Sequence, residues 1–319
     1  MTGPDTPAAA EVAADVAADV ATDFAARAEQ VNALPSIGEL LKFHQLKPTK
    51  ALGQNFLLDL NLTSKIARTA LAIEGGNRCG TTFEIGPGPG GLTRALLLAD
   101  YHRVVALEKD ERAVGLLASL SDAAAPDLSV ESVDALASDL TAMASAPRRI
   151  VANLPYNIGT ELVTRWLEQL YTDPSAFEGI TVMLQLEVAK RLVATPGSKT
   201  FGRLSVLANW LCDVRLAFEV PASAFIPPPK VTSAIVTLKP WKHQQRPFVA
   251  DLGALKQVTG ALFGQRRKMV RQSVKALGKS LDTASLLDSA GINPDSRAEA
   301  LSLDDFGRLA NAWQELRDR

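Results

Sequence analysis

The segment Phe83-Glu84-Ile85-Gly86-Pro87-Gly88-Pro89-Gly90-Gly91 constrains this chain more than any other. A β-like run leads into it and a helical run follows, and its glycines fit G-x-G-x-x-G through Gly86, Gly88 and Gly91. Glycines at this spacing let the backbone turn tightly between strand and helix and let a ligand lie against the main chain. A nucleotide cofactor is the natural guest. Glu108 ends the next β-like run, 22 positions after Gly86. A carboxylate there can accept hydrogen bonds from both ribose hydroxyls of an adenosine moiety. Loop and acid together specify an adenosine-containing cofactor, without choosing between NAD and S-adenosylmethionine. The plainer alternative is a tight turn followed by a solvated Glu, and three closely spaced glycines weigh against it.

From about Thr81 the chain alternates β-like and helical runs. The first kind are Thr82–Ile85, Arg103–Leu107, Leu128–Glu131, Arg149–Ala152 and Ile180–Leu184; the second include Leu92–Ala99, Glu111–Leu120 and Glu161–Leu170. That alternation predicts an α/β fold with a doubly wound, mostly parallel sheet. Ser233–Leu238, after the turn Pro227-Pro228-Pro229, reads as an edge strand. Composition turns polar and proline-bearing between Pro240 and Pro247, which predicts a boundary between a sheet domain over 31–243 and a wholly helical domain over 244–319. Residues 1–30 are Ala-rich and acidic, with too little apolar bulk to dock, and predict a poorly ordered extension without a catalytic role.

Composition narrows the function classes. Of 319 residues 47% are hydrophobic and 22% charged, enough for a packed core, and the formal net charge of -1 requires any nucleic-acid surface to come from local clustering. The two cysteines, Cys79 and Cys212, predict buried reduced thiols, and His44, His102 and His243 form no metal-ligand spacing with them, so no metal is expected. No apolar run reaches the ~18 residues of a membrane span. The N-terminus has neither the pattern of a secretory signal nor that of a transit peptide, so a cytoplasmic protein is expected.

The chemistry turns on Asn153-Leu154-Pro155-Tyr156, which follows the fourth β-like run. An exocyclic amine on a base is a poor nucleophile because its lone pair is conjugated into the ring. The Asn153 side-chain oxygen and the Leu154 carbonyl can together accept both of its N–H groups and turn the lone pair outward. Pro155 fixes the local backbone, and Tyr156 can stack on a flat base. No strong general base is needed when the methyl donor is already cationic; positioning and electrostatics carry the rate. The plain alternative is a strand end with an X-Pro turn. Asp134, after the third β-like run, can accept from the amine of a cofactor's adenine, or can simply cap a helix. Phe225, ahead of Pro227-Pro228-Pro229-Lys230, can clamp the other face of the target base, with core packing at a turn as its alternative. A target base must be unstacked to enter such a pocket, as an unpaired or flipped base in folded RNA is.

A basic cluster comprises Arg266, Arg267, Lys268, Arg271 and Lys275. The i, i+4 spacing of Arg267, Arg271 and Lys275 would line one face of a helix and attract phosphates. A solvated helix face is the bland alternative, and the like sign of the charges favours RNA. Lys47 and Lys50 extend this surface.

Taken together these segments are similar to the bacterial ribosomal RNA adenine dimethyltransferase family. The resemblance runs over about residues 35–319. It is carried by Lys50-Ala-Leu-Gly-Gln-Asn-Phe-Leu, the glycine loop, Asn153-Leu-Pro-Tyr-Asn-Ile, Gly202-Arg-Leu-Ser-Val-Leu, Phe225-Ile-Pro-Pro-Pro-Lys-Val-Thr-Ser-Ala and Gln265-Arg-Arg-Lys-Met-Val-Arg-Gln-Ser. It implies a class I S-adenosylmethionine-dependent methyltransferase fold, a Rossmann-like doubly wound seven-stranded sheet with a small C-terminal all-helical domain. It implies S-adenosylmethionine as donor and two adjacent adenines near the 3′ end of 16S rRNA, within the small ribosomal subunit, as targets, each dimethylated during ribosome biogenesis. A monomer is expected. Asn55 and Leu57 are implied to line the cofactor site with Gly86, Gly88, Glu108, Asp134 and Asn153, while Asn153 and Tyr156 hold the base. Phe201 and Gly159 stand where the family has Tyr and Ser, both expected beside the site.

Three rival functions share parts of this pattern. They are a macrolide-resistance type methyltransferase acting on large-subunit rRNA, a non-catalytic ribosome assembly factor and an NAD-dependent dehydrogenase. The Pro-Pro-Pro-Lys-Val and Gln-Arg-Arg-Lys segments favour the small subunit over the first, and the intact tetrapeptide and glycine loop argue against the second.

Overall fold

The computed structural model describes residues 24–45, 48, 54–73, 75–242, 245–247, 250–278 and 281–317. Its centre is a seven-stranded sheet in the order β4-β3-β2-β5-β6-β9-β7. The strands are β2 (Thr81–Ile85), β3 (Arg103–Glu108), β4 (Leu128–Ser132), β5 (Arg148–Asn153), β6 (Gly179–Gln185), β7 (Cys212–Val220) and β9 (Ser233–Pro240). The five strands from β4 to β6 run parallel, and β9 is antiparallel to both β6 and β7. The central strands are apolar runs because helices cover both faces of the sheet; every residue of β2 is buried. The covering helices are α3 (Leu60–Ile73), α4 (Gly91–Leu98), α5 (Glu111–Ala123) and α7 (Gly159–Thr172), with the shorter α2 (Ile37–Phe43), α6 (Leu140–Met143) and α8 (Leu186–Leu192). All five sequence-predicted parallel strands and the three predicted helices form, with no end displaced by more than three residues.

The edge differs from expectation. Ser233–Leu238 lies inside the sheet, between β6 and β7, and β7 is the edge strand. Nothing in the sequence announces β7: α9 (Arg203–Leu211) passes into it at Leu211–Cys212 with no glycine or proline between. A register shift between Leu216 and Phe218 further breaks its alternation. A separate two-stranded ribbon joins β1 (Phe56–Leu57) to β8 (Phe225–Ile226), pairing Leu57 with Phe225 and Phe56 with Ile226.

After the sheet come α10 (Leu252–Gly264), α11 (Val270–Ser273), α12 (Thr283–Ser289) and α13 (Leu303–Arg317), with short 3-10 turns between them. One hydrophobic cluster runs from Phe83 and Ile150 in the sheet through Trp210 and Leu255 to Phe306 and Trp313. Phe201 is fully buried there, its ring centroid 6.0 Å from that of Phe263 and 6.2 Å from that of Phe306. It therefore packs the sheet against the C-terminal helices and does not stand beside the site. The linker is held as well: the Trp241 indole N–H donates to the Asn209 carbonyl at 3.2 Å and Arg246 donates to the Leu170 carbonyl at 2.9 Å. Cys212 is buried, as expected of both thiols, but Cys79 is exposed.

The N-terminal segment departs most from its expectation. Residues 1–23 lie outside the described residues, but 24–33 form a docked helix, α1. Val31 is buried in the cluster formed by α3, α4 and the sheet. The Arg27 guanidinium bonds Asp127, Asp100 at 3.2 Å and the Leu97 carbonyl at 3.3 Å. Its partners lie 70 to 100 positions away in sequence. A polar clamp of that range leaves no trace in local hydrophobic patterning.

Candidate active site

The chain leaves β2 toward β3 and β4 on one side, then returns to β5 and β6 on the other. Ligands of doubly wound folds bind at that switch, outside the carboxyl ends of the strands. The glycine loop follows β2 and Asn153-Leu154-Pro155-Tyr156 follows β5, so the fold sets the two motifs side by side. Pro155 carbons lie 3.7 Å from where a Cβ on Gly86 would stand. Between the strand ends and the 54–57 segment is a cavity of about 250 Å³, lined among others by Asn55, Leu57, Gly86, Glu108, Asp134 and Asn153.

The glycines do different jobs. Gly88, at φ +54, sits in the left-handed region that favours glycine. Gly91 has an ordinary backbone, but a Cβ there would come within 2.7 Å of the Leu57 carbonyl oxygen. The last glycine of the fingerprint is thus required by close packing of α4 against β1.

The acids lie around the same cavity. Glu108 is buried and accepts from the backbone N–H groups of Gly88 at 3.0 Å and Asp110 at 2.8 Å. Burial raises its pKa, and those two backbone donors pull it back. Asp134 caps no helix, because residues 135–137 form a turn and the next helix, Leu140–Met143, is capped by Asp139. It accepts from the Leu136 N–H of that turn at 2.9 Å, lines the cavity and pairs with Lys109 at 2.7 Å. The Lys109 ammonium, helped by the Leu136 N–H, holds its carboxyl below the usual range.

Sequence reasoning passed over two acids. Glu84 is 1% exposed on β2 and lines the cavity, and its Oε2 has no hydrogen-bond partner among the described residues. Burial, with the Glu108 charge adding to it, pushes its carboxyl up to about 8. The available signal was an acid inside an otherwise apolar strand, directly before the glycine loop. Asp110 caps α5 and accepts from the Gln54 amide at 2.9 Å, which pins the 54–57 segment to the helix after Glu108. Its Arg112 partner, with Gln54, holds its carboxyl down at about 2 despite burial.

Around the tetrapeptide, the Leu154 side chain is buried, and the Pro155 carbonyl accepts from the N–H groups of Ile158 and Gly159 at the start of α7. Gly159 packs beneath it: a Cβ there would stand 3.4 Å from Leu154 Cβ. The Asn153 amide nitrogen points at the Asn55 carbonyl, 3.5 Å away, which leaves Oδ1 as the end able to accept. Tyr156 is half-buried, and its hydroxyl lies 2.6 Å from the Ser233 hydroxyl.

Phe225 stands apart from the other predicted base-holding residues. It is 1% exposed in the core cluster, opposite Leu57 in the ribbon, and takes the core-packing position. Its ring presents no open face to a base in this structure.

The basic cluster is not one helical stripe. The α10 helix ends at Gly264, residues 265–268 turn, and Lys275 falls in a 3-10 turn after α11. The break is tertiary. Met269 forms a β-bridge with Arg297, and the N–H groups of Val270 and Arg271 bond the carbonyls of Ser296 and Pro294. Two of the five cations are committed, Arg266 to Glu299 at 2.9 Å and Arg271 to Asp295. Arg267, Lys268 and Lys275 are exposed. Lys47 and Lys50 lie outside the described residues.

Residues 45–315 match the family described as Ribosomal RNA adenine dimethylase. The chain is 52% identical over 289 residues to the Ribosomal RNA small subunit methyltransferase A of Mesorhizobium japonicum, covering 88% of this chain and 99% of that one. It is 47% identical to the protein of that description from Rhodospirillum rubrum, covering 88% and 93%. Among solved structures, a dimethyladenosine transferase from Plasmodium falciparum shares the fold with a TM-score of 0.65 at 22% identity, covering 79% of this chain and 96% of that one. The 23S rRNA methyltransferase ErmE superposes with a TM-score of 0.59 at 25% identity, covering 82% and 100%.

Proposed function

This chain belongs to the ribosomal RNA adenine dimethylase family; it is a small-subunit rRNA adenine dimethyltransferase that uses S-adenosylmethionine, and we propose that its targets are two adjacent adenines near the 3′ end of 16S rRNA, each methylated twice at N6 by a cytoplasmic monomer during ribosome biogenesis.

The cavity suits the donor. Glu108 and Asp134 line one space of about 250 Å³ beside a glycine loop, an acceptor set that fits the ribose hydroxyls and amine of an adenosine. S-adenosylmethionine, when bound, supplies an electrophilic sulfonium methyl. Glu108, already fixed by two backbone donors, has lone pairs left for the ribose hydroxyls. Asp134 has them for the adenine amine of the cofactor.

The target amine is gripped by the other wall. Asn153 Oδ1 and the Leu154 carbonyl accept its two N–H groups and aim its lone pair into the cavity. Pro155, beside the glycine loop in the same cavity wall, fixes the backbone of that grip. Tyr156 supports the face of the base. This chain supplies alignment and hydrogen-bond acceptors, and the amine proton leaves to solvent after transfer. Arg267, Lys268 and Lys275 hold rRNA phosphates.

The observation that carries this reading is that the glycine loop and Asn153-Leu154-Pro155-Tyr156 line one cavity, so that an amine-accepting motif faces the space of the cofactor motif. The test is incubation with labelled donor and separately purified, unmodified small and large subunits, followed by mapping of the labelled nucleotides. Two adjacent N6,N6-dimethyladenines near the 3′ end of 16S rRNA are expected. Label confined to large-subunit rRNA overturns the proposal.

A further inference from the structure

We propose that Ser233 is a positioning residue for this methylation: its hydroxyl tethers the Tyr156 ring beneath the target adenine, and the second methyl transfer depends on that tether most. The inference rests on the reading that Tyr156 stacks on the base.

Ser233 is fully buried at the first position of β9, paired in register with Gln185 of β6 and Val220 of β7. The preceding carbonyl, of Thr232, accepts from the Leu186 N–H at 2.9 Å. Its backbone is therefore held from both sides. Tyr156 stands three residues beyond the end of β5. Because the sheet order is β5-β6-β9, the 2.6 Å hydroxyl pair reaches across the carboxyl end of β6. The ring is thus held at its root by the Pro155 turn and at its tip by an inner strand of the sheet. A half-buried phenol without that tip contact can tilt.

The two methyl transfers do not ask the same of this ring. An unmodified adenine amine offers two N–H groups to Asn153 Oδ1 and the Leu154 carbonyl. After the first transfer one N–H has been replaced by N–CH3, and only one acceptor still has a donor. The polar grip on the base is halved, and its orientation falls more heavily on the stacked ring. Misplacement of a reacting group by about an ångström is enough to slow a step whose rate comes from alignment.

Four variants of the full chain test this: Ser233→Ala, Tyr156→Phe, the double variant and Tyr156→Ala. Each is assayed on unmethylated small subunits, with monomethyl- and dimethyladenosine separated after nuclease digestion, alongside thermal unfolding. Ser233→Ala and Tyr156→Phe should each slow the second transfer about tenfold, the size of one net hydrogen bond, and the first transfer less, so that monomethyladenosine accumulates. Tyr156→Phe leaves the buried Ser233 hydroxyl unpaired and loses stability, whereas the double variant removes that hydroxyl and recovers it. Its second transfer should stay about tenfold slow. A double variant whose activity recovers along with its stability overturns the tether. So does a wild-type ratio of mono- to dimethyl product in Tyr156→Phe. If Tyr156→Ala retains full activity, the stacking reading itself is wrong. If Tyr156→Ala is inactive while the hydroxyl variants keep the wild-type ratio, stacking stands and only the tether fails.

Discussion

The backbone N–H of Gly88 donates to the Glu108 carboxylate at 3.0 Å, so the cofactor loop and the acid 20 positions later form one hydrogen-bonded unit. Glu108 both shapes the loop and keeps lone pairs for a ligand. Its loss should therefore weaken donor binding in two ways at once. Glu108→Ala is expected to lower S-adenosylmethionine affinity about 10- to 100-fold by calorimetry, and Glu108→Gln, which keeps one acceptor, about tenfold or less.

Asn153→Ala removes an acceptor that the reaction needs and that folding does not. Its amide makes one long contact to Asn55. Methyl transfer should fall on the order of 100-fold or more, while affinity for unmodified small subunits and the melting temperature stay near wild type. Normal turnover by this variant would end the amine-gripping role.

Glu84 ties stability to pH. Its pKa rises from an ordinary 4.5 to about 8 on folding, burial being the main cause. The folded state therefore holds a proton that the unfolded state releases between those values. Its contribution to stability is complete below about pH 4.5 and is lost as pH rises through about 8. Glu84→Gln should remove that slope, leaving the variant more stable than wild type at pH 8 relative to pH 5, by on the order of a few kcal/mol at most. Denaturant titrations at the two pH values measure it, and equal slopes for both proteins would refute it.

The basic cluster divides into two kinds of cation. Lys268→Ala and Lys275→Ala, at exposed positions, should each weaken rRNA binding and reduce the salt slope by about one, without affecting stability. Arg266→Ala should instead be felt in folding, because the guanidinium bonds Glu299 and the Ser198 carbonyl. A modest loss of stability, about 1 kcal/mol, and a smaller change in salt slope are expected.

Arg27→Ala should undock α1. The substitution strands the Asp127 carboxylate and the Leu97 carbonyl beneath the helix. A stability loss of about 1–3 kcal/mol is expected. Amide exchange should rise throughout residues 24–33, while Asp134 and Glu108, at the opposite end of the strands, keep their affinity for the donor.

The parts of this protein written in local sequence were legible before any coordinates. A strand ending in Gly86, Gly88 and Gly91, an acid closing the next strand, and Asn153-Leu154-Pro155-Tyr156 after a later one each need only short-range geometry: positive φ, tight turns and side chains at strand ends. Alternating strand and helix runs dictated a parallel sheet, because apolar runs of that length need cover on both faces. What spans distance was decided by tertiary structure. The β7 strand joins the sheet straight out of a helix, with no turn residue to mark the change. The stripe through Arg267, Arg271 and Lys275 breaks because backbone bonds to residues 294–297 outweigh helical continuity. Arg27 docks an Ala-rich segment through acids that follow it by 73 and 100 positions. Phe225 and Phe201 enter the core because packing, to which residue type is no guide, chose which face of each ring to cover. Glu84 acquires its raised pKa only when neighbouring strands exclude water from it. Hydrogen bonds and burial between distant segments are properties of the assembled fold, and a one-dimensional pattern carries them only where they happen to be local.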